Sequence, residues 1–320
     1  MKRPLKIGTR ESQLAVWQAT LVQSLLKEKE IESELVFIKS EGDKDTVTPL
    51  YELGVQGIFT KTLDTALLNK KIDVAVHSMK DVPTQLAIGI RQAAVLKRAS
   101  YKDIFVFKGE RKKIEDELNS KESNHHPIAI GTPFTIATSS IRRKAQWLYR
   151  YPNHKIENLR GNVNTRLRKI EENDWNGAIF AAAGLERIHL RPENSIDLDW
   201  MLPAPAQGAI TISCRSEDEE TFEAAHLLNH EPTQKCTKIE RDFLRTLSGG
   251  CSTPISGLAV FEHDKIIFRG NICSISGKEI YDIRKEAASE IADNLGIISG
   301  EEMLQNEKAK NIIHEIRNAK

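Results

Sequence analysis

A chain of 320 residues with a formal net charge of +1, 28% charged and 40% hydrophobic residues, is too long for one small core and too neutral for a generally basic nucleic-acid binder. Its polar beginning, Met1–Gln13, lacks the apolar stretch of a secretory leader, and its smoothest apolar run, Ala178–Leu185 with Gly184 inside, is too short to span a bilayer. The four cysteines, at 214, 236, 251 and 273, form no CxxC pair or metal-ligand spacing, so a cytoplasmic protein without metal, membrane anchor or disulfides is expected.

Leu5–Gly8 reads as a strand, after which Ser12 caps a helix whose apolar positions 14, 17, 21, 22, 25 and 26 recur at helical spacing. Leu35–Ile38 is a second strand. Lys39–Gly57 is charged and glycine-bearing with no period of its own, and loops of that length are usually functional or disordered. A helix over Ile58–Asn69 leads into the β-branched strand Ile72–Val76, and Ala93–Leu96 gives another. Continuous apolar runs of this kind suit strands buried on both faces.

A second unit starts at Asp103–Phe107 and passes through the polar stretch Glu110–Pro127, of which Lys112–Pro127 is expected as a surface loop. Strand Ile136–Thr138, helix Ser140–Tyr149, strand Lys155–Leu159, helix Val163–Glu172 and strand Ala178–Ala182 follow. The turn-rich Met201–Ala209 reads as a hinge, Ile210–Cys214 as a strand able to rejoin the first unit's sheet, and Phe222–Leu228 as a helix. Helix Thr233–Leu247, a loop through Pro254, strands Ile255–Phe261, Lys265–Cys273 and Glu279–Lys285, and two closing helical segments make a small α+β unit. The βα alternation predicts parallel or mixed sheets in the first two units. The expected domains are 1–100 with 208–228, then 103–203, then 231–320.

Chemistry-bearing residues gather at the ends of these strands, where ligands bind in open α/β sheets. Ile72–Val76 runs into His77, Ser78, Lys80 and Asp81, a lone carboxylate with a lysine beside it. His77 reads as a packed strand-end residue, with tuning of Asp81 as the alternative. Between Thr138 and Ile170 stand six arginines and three lysines against one acid, Glu157. Thr138, Ser140, Arg142 and Arg143 open one helix there, and Arg160 and Arg166 flank the start of the next. Helix N–H groups, hydroxyls and guanidinium forks together make carboxylate or phosphate sites, and Arg10 with Ser12 repeats the layout near the amino terminus. Arg168 and Lys169 are expected to face water. Trp147, Tyr149 and Tyr151 read as core or helix packing. Cys214 and Cys273 sit in strand patterns, as small buried hydrophobes do, whereas Cys251 lies in the tight loop Ser248-Gly249-Gly250-Cys251-Ser252-Thr253-Pro254 and is the place to seek a reactive or modified thiol.

The segments GTRESQLAVWQA, HSMKDVP, TSSIRRKAQ, LRGNVNTRL, AAAGLER, PAQGA and GGCSTP, in this order along the chain, identify it by resemblance as similar to the porphobilinogen deaminases (hydroxymethylbilane synthases). The resemblance implies two α/β domains like those of type II periplasmic binding proteins, forming a cleft, plus a small α+β domain. It implies a transferase of haem and other tetrapyrrole biosynthesis that joins porphobilinogen molecules head to tail with loss of ammonia, giving linear hydroxymethylbilane. A dipyrromethane cofactor, held by a thioether to Cys251, would prime the chain, and Asp81 would be the catalytic carboxylate. By motif match, Ser78, Lys80, Thr138, Ser140, Arg142, Arg143 and Gly161 would hold the cofactor. Arg10, Ser12, Arg160, Arg166, Arg187 and Gln207 would hold the substrate.

The residue types suit that chemistry. Each pyrrole brings two carboxylates and so needs fixed cations. Loss of ammonia leaves a cationic azafulvene that one ionised carboxylate can stabilise, and the same group in its protonated form can pass a proton to the departing amine. Lys39–Gly57 would correspond to the family's active-site lid, with lid or domain movement expected during elongation. Where the family commonly has a lysine in a GGKGLF-like motif, this chain has Gln56 in GVQGIF, and an amide donates hydrogen bonds without supplying charge. The expected partners are porphobilinogen and the growing polypyrrole, with no nucleic acid, no membrane and a monomeric state. Two other readings compete. A non-enzymatic solute-binding protein would explain two lobes and anion sites but leaves Cys251 and Asp81 without a purpose. An RNA binder would explain the basic cluster, yet aromatic residues for stacking are 6% of the chain.

Overall fold

In the computed structural model the residues described are 3–39, 60–119, 133–250 and 253–318. The apolar runs become the central strands of two mixed sheets. The first is built from β1 (Leu5–Thr9), α1 (Gln13–Glu28), β2 (Ser33–Phe37), α2 (Lys61–Leu68), β3 (Val74–Ser78), a 3-10 turn at Met79–Asp81, and β4 (Ile90–Val95). The second follows with β5 (Asp103–Phe107), α3 (Arg111–Asn119), β6 (Thr135–Ala137), α4 (Ile141–Arg150), β7 (Lys155–Glu157), α5 (Val163–Glu172), β8 (Gly177–Ala181), α6 (Ala182–Glu186) and β9 (Ser195–Asp197). The chain then returns through β10 (Ile210–Arg215) and α7 (Glu219–His226). The last unit is α8 (Glu231–Thr246), β11 (Ile255–Glu262), β12 (Lys265–Cys273), β13 (Ile280–Ala288), α9 (Leu295–Gln305) and α10 (Glu307–Asn318).

Both large sheets have five strands, in the orders β2-β1-β3-β10-β4 and β7-β6-β8-β5-β9. In each, four strands run in one direction and the strand that arrives from the other unit, β10 or β5, is inserted antiparallel to its neighbours. That exchange of one crossing strand per sheet is the topology of the type II two-lobed fold. Both faces of the central strands are covered: Val74 and Val76 of β3 enter one apolar cluster and Ala75 another. In the same way Phe105 and Phe107 of β5 face one cluster while Ile104 and Val106 face the next. The third unit packs α8, α9 and α10 on the antiparallel sheet β11-β12-β13 around Phe243, Phe268 and Met303. No helix among the described residues is long and apolar enough to cross a membrane.

Several readings need correction. Lys112–Pro127 is not wholly a surface loop: Arg111–Asn119 is helical because Ile114 and Leu118, one turn apart, bury themselves beside Trp147 and Tyr151. Residues 120–127 lie outside the described residues, as do nearly all of Lys39–Gly57, with Gln56, and Cys251 itself. The strand placed at Ile72–Val76 runs at Val74–Ser78 instead, so His77 and Ser78 are still inside the sheet. The short elements α6 and β9 escaped the pattern because three to five residues carry no period. Tyr149 stays on the helix surface at 47% exposure while Trp147 and Tyr151 are buried. Met201–Ala209, read as a hinge, is the crossover between the sheets, and it is tied to α4 and to the third unit. Ala206 N donates to Glu240 Oε2 (2.6 Å), Gly257 N to Pro203 O (3.1 Å), and the Leu202 carbonyl accepts from Arg142 and Gln146.

Candidate active site

The turn that carries Lys80 and Asp81 is fixed by its apolar neighbours. Met79 packs at 2% exposure with Val95, Ala206 and Ala209, and its N–H donates to Ala209 O (3.0 Å). Gln18 of α1 donates to Ser78 Oγ (2.8 Å), and Val82 N closes the turn on Met79 O (3.2 Å). Ser78, Lys80 and Asp81 are left partly exposed at the end of β3. His77 is buried, and burial, helped by the charge of Arg10, pushes its pKa down to about 4, which keeps the ring neutral and makes it a packing residue.

Lys80 Nζ donates to Gln207 Oε1 (3.1 Å). Its surface is not fully covered, but it sits deep enough among protein groups that desolvation, followed by repulsion from Arg143, pushes it down to about 8; Asp81 and Asp103 partly offset this. Gln207 is itself fully buried, and its amide donates to Tyr101 O (2.8 Å) and Asp103 Oδ1 (2.9 Å). Those two acceptors orient the amide so that its oxygen faces Lys80. A ligand therefore meets Lys80 before it meets Gln207.

The second sheet supplies the basic wall. Ser140 caps α4, accepting from Arg143 N (3.4 Å), and Thr138 Oγ1 accepts from Ser140 N (3.2 Å), so both hydroxyls keep their hydrogens for another acceptor. Arg142 pairs with Asp103 Oδ2 (2.8 Å) and donates to Leu202 O. Arg143 spends Nε and Nη2 on Asp103 Oδ1 (3.0 and 2.7 Å) and Nη1 on Ile179 O (2.9 Å). Burial alone would raise the Asp103 carboxyl, but the two arginines outweigh it and hold it well below the usual carboxylate range. After β7 the chain turns at Gly161, whose φ of +113° and near contact with Thr165 Cγ2 (2.7 Å from an added Cβ) exclude a side chain. Asn162 then caps α5, and Arg166 Nε bonds back to Gly161 O (2.7 Å). Burial, then Arg143 and Arg160, push Arg166 down to about 10 while Asp81 pulls the other way. Arg160 is buried and Arg168 is exposed beside Glu172.

The predicted residues thus split. Asp81, Lys80, Arg142, Arg143, Arg160 and Arg166 act on one another electrostatically in one cluster, and there the cations outnumber the carboxylates Asp81 and Asp103. Such a surplus calls for a polyanion, which is what a group bearing several carboxylates is, so the donor set fits a dipyrromethane. Arg187 stands apart: it donates to Gly208 O (2.7 Å), lies 5.8 Å from the Trp17 ring, and is pushed down to about 10 by burial against the opposing pull of Glu186. The Ser12 hydroxyl accepts from Ala15 N at the head of α1 (3.4 Å). Asp103 and Glu240 were missed. Each is a carboxylate inside an apolar pattern, at the head of β5 and in the middle of α8, and that misplacement was the signal available.

Cys251 falls outside the described residues; beside it, Gly250 N donates to Thr253 Oγ1 (3.0 Å), which donates to Gly250 O (2.7 Å). A Cβ on Gly249 would strike Leu244 and Ile255 at 2.6 Å. The other cysteines are buried thiols. Desolvation pushes Cys236 and Cys273 up to about 12 and raises Cys214 as well.

Residues 5–223 match the family model described as "Porphobilinogen deaminase, dipyromethane cofactor binding domain", and residues 234–305 match "Porphobilinogen deaminase, C-terminal domain". The first region contains Cys214 and the second the remaining cysteines. Among curated relatives, the porphobilinogen deaminase of Acidithiobacillus ferrooxidans is 36% identical over 323 residues, covering 100% of both chains. The chloroplastic porphobilinogen deaminase of Oryza sativa subsp. japonica is 39% identical over 87% of this chain and 76% of its own. That of Chloroherpeton thalassium is 38% identical over 87% and 85%. A periplasmic substrate-binding protein of an ABC transporter from Coxiella burnetii, a solved structure, has a TM-score of 0.42 at 12% identity over 72% of this chain and 93% of that one.

Proposed function

The chain belongs to the porphobilinogen deaminase family, and from that premise we infer that it is a transferase, hydroxymethylbilane synthase, which condenses four porphobilinogen molecules head to tail, releasing ammonia, into linear hydroxymethylbilane for tetrapyrrole synthesis. The relatives favour this over the solute-binding alternative. The observation that carries it at the level of residues is the surplus of cations, Lys80, Arg142, Arg143 and Arg166, around the carboxylates Asp81 and Asp103.

The cofactor domain of the family binds a dipyrromethane, which when bound supplies the terminal pyrrole carbon that begins the chain. We assign its attachment to Cys251, because the other cysteines are desolvated thiols and the thiolate is the nucleophile. Ser78, Lys80, Thr138, Ser140, Arg142, Arg143 and the Gly161 backbone are assigned to its carboxylates. Arg142 and Arg143, already tied to Asp103, do so with the N–H groups that remain. Arg10, Ser12, Arg160, Arg166 and Arg187 are assigned to the incoming substrate, with Gln207 acting through Lys80. Asp81 protonates the departing amine and then, as carboxylate, stabilises the positive charge that develops on the pyrrole methylene. The arginine wall holds the acetate and propionate groups still meanwhile, which supplies orientation. Two lobes, 1–100 with 208–228 and 103–203, form the cleft, and 231–320 brings the cysteine loop to it. We take the enzyme to be a cytoplasmic monomer that needs no nucleic acid.

The test is incubation of the purified protein with porphobilinogen. One ammonia released per pyrrole consumed, with hydroxymethylbilane as product, is expected. Binding of porphobilinogen without ammonia release would overturn the assignment.

A further inference from the structure

α8 gives successive residues to different parts of the molecule. Glu240, fully buried, accepts from Arg98 Nη1 and Nη2 (2.6 and 2.9 Å), Ala206 N (2.6 Å) and Ala259 N (2.8 Å), which fastens the helix to the crossover between the sheets. The next residue points about 100° further round the helix. Arg241 Nη1 donates to Val82 O (2.9 Å) and Met79 O (3.3 Å), and Nη2 donates to Pro83 O. Lys80 and Asp81 lie between those carbonyls. Their turn is a single 3-10 turn closed by Val82 N on Met79 O (3.2 Å), and such turns have poor hydrogen-bond geometry of their own. On its leading side the turn is held by the first sheet, through Met79 and Ser78. On its trailing side the guanidinium comes from the third unit, from the helix that runs on into the Gly249–Gly250 loop.

We propose that Arg241 is a positioning residue for Asp81, fixing the catalytic turn to the helix that leads to the cysteine loop so that both keep one register through the reaction. This rests on the functional reading above. A planar fork that spans several carbonyls suits the task, whereas a lysine, a compact point donor, cannot hold all of them at once. Because Arg241 binds backbone oxygens of the turn, its loss is expected to leave substrate binding intact while letting Asp81 wander, and displacement of about 1 Å costs as much as 100-fold in rate.

The experiment compares Arg241→Met and Arg241→Lys with the wild type by three readouts: hydrogen exchange of the 79–82 amides, the split of kcat from KM, and intact mass for cofactor loading. Faster exchange confined to that turn is expected in Arg241→Met. With it should come a kcat roughly 10- to 100-fold lower, a KM within about twofold, normal loading, and partial recovery in Arg241→Lys. Unchanged kcat despite faster local exchange would overturn the proposal, as would exchange that rises across the whole third unit together with lost loading. A wild type that releases no ammonia would instead sink the functional reading. Local exchange in Arg241→Met would still report whether the arginine fastens the turn.

Discussion

The two large sheets have one topology and opposite chemistry at their strand ends. In the first, β3 stops in a 3-10 turn bearing one carboxylate and one lysine. In the second, β6 and β7 run into helices that open with arginines, of which Arg142 and Arg143 converge on the buried Asp103. The first edge is sparse and partly exposed, and the second is dense, desolvated and internally paired. A common scaffold thus offers equivalent positions, and under the function proposed above the residues placed there divide the labour: one lobe reacts, the other grips. The grip has a structural cost, because packing like charges together requires Asp103 as a buried counterion.

Substitutions on the two edges should therefore fail differently. The largest effect is expected for Asp81→Asn, which keeps shape and removes the proton and charge. Its kcat should fall by about 10²–10⁴-fold with the melting temperature unchanged, and steady-state rates with calorimetry would show it. Asp103→Asn is the converse case, leaving two buried guanidinium groups uncompensated. Denaturant unfolding should register a loss of about 3–5 kcal/mol. Since the folded carboxyl is depressed, its contribution is present above the unfolded value near ~4 and is lost as pH falls below it. If Asp103→Asn proved as stable as the wild type, the paired-wall account would be wrong.

Arg166→Met is expected to raise KM for porphobilinogen roughly 10- to 100-fold while sparing the fold, because this guanidinium is crowded by other cations rather than tied to a carboxylate. Lys80 sharpens the contrast through pH. In the unloaded protein its ammonium is lost as pH rises through about 8. An anionic ligand raises that value, so porphobilinogen binding near pH ~8.5 should take up protons, measurable with an indicator dye. Net proton release would contradict the placement of Lys80 beside the ligand. The smallest effect belongs to the exposed Tyr149: replacement by alanine should change stability by no more than about 0.5 kcal/mol. The same change at the buried Trp147, two residues earlier, should cost about 3–5 kcal/mol.

Much of this was legible in the chain because local signals and tertiary packing agree. The strand at Asp103–Phe107, a continuous apolar run, and the helix at Val163–Glu172, long enough to carry a period, fall where the sequence puts them, and both meet an apolar partner. Lys112–Asn119 was illegible as a helix because charge hides two apolar residues whose burial depends on α4. The crossover at Met201–Ala209 looked loose because its proline, glycine and alanine content reads as a turn. What holds it, chiefly Glu240 and Gln146, comes from residues distant in sequence. At the site, the motif residues lie where strands end, but which cations are already committed could not be read. Pairing with Asp103 is a three-dimensional fact, and so is the reach of Arg241 across to the Asp81 turn.

The most direct test of the whole account is the intact mass of the denatured wild-type protein beside Cys251→Ala. The account predicts the added mass of a two-pyrrole unit on the wild type and none on the variant. A wild type that carries no such mass and gains none with porphobilinogen would contradict it, as would a Cys251→Ala protein that still carries the adduct.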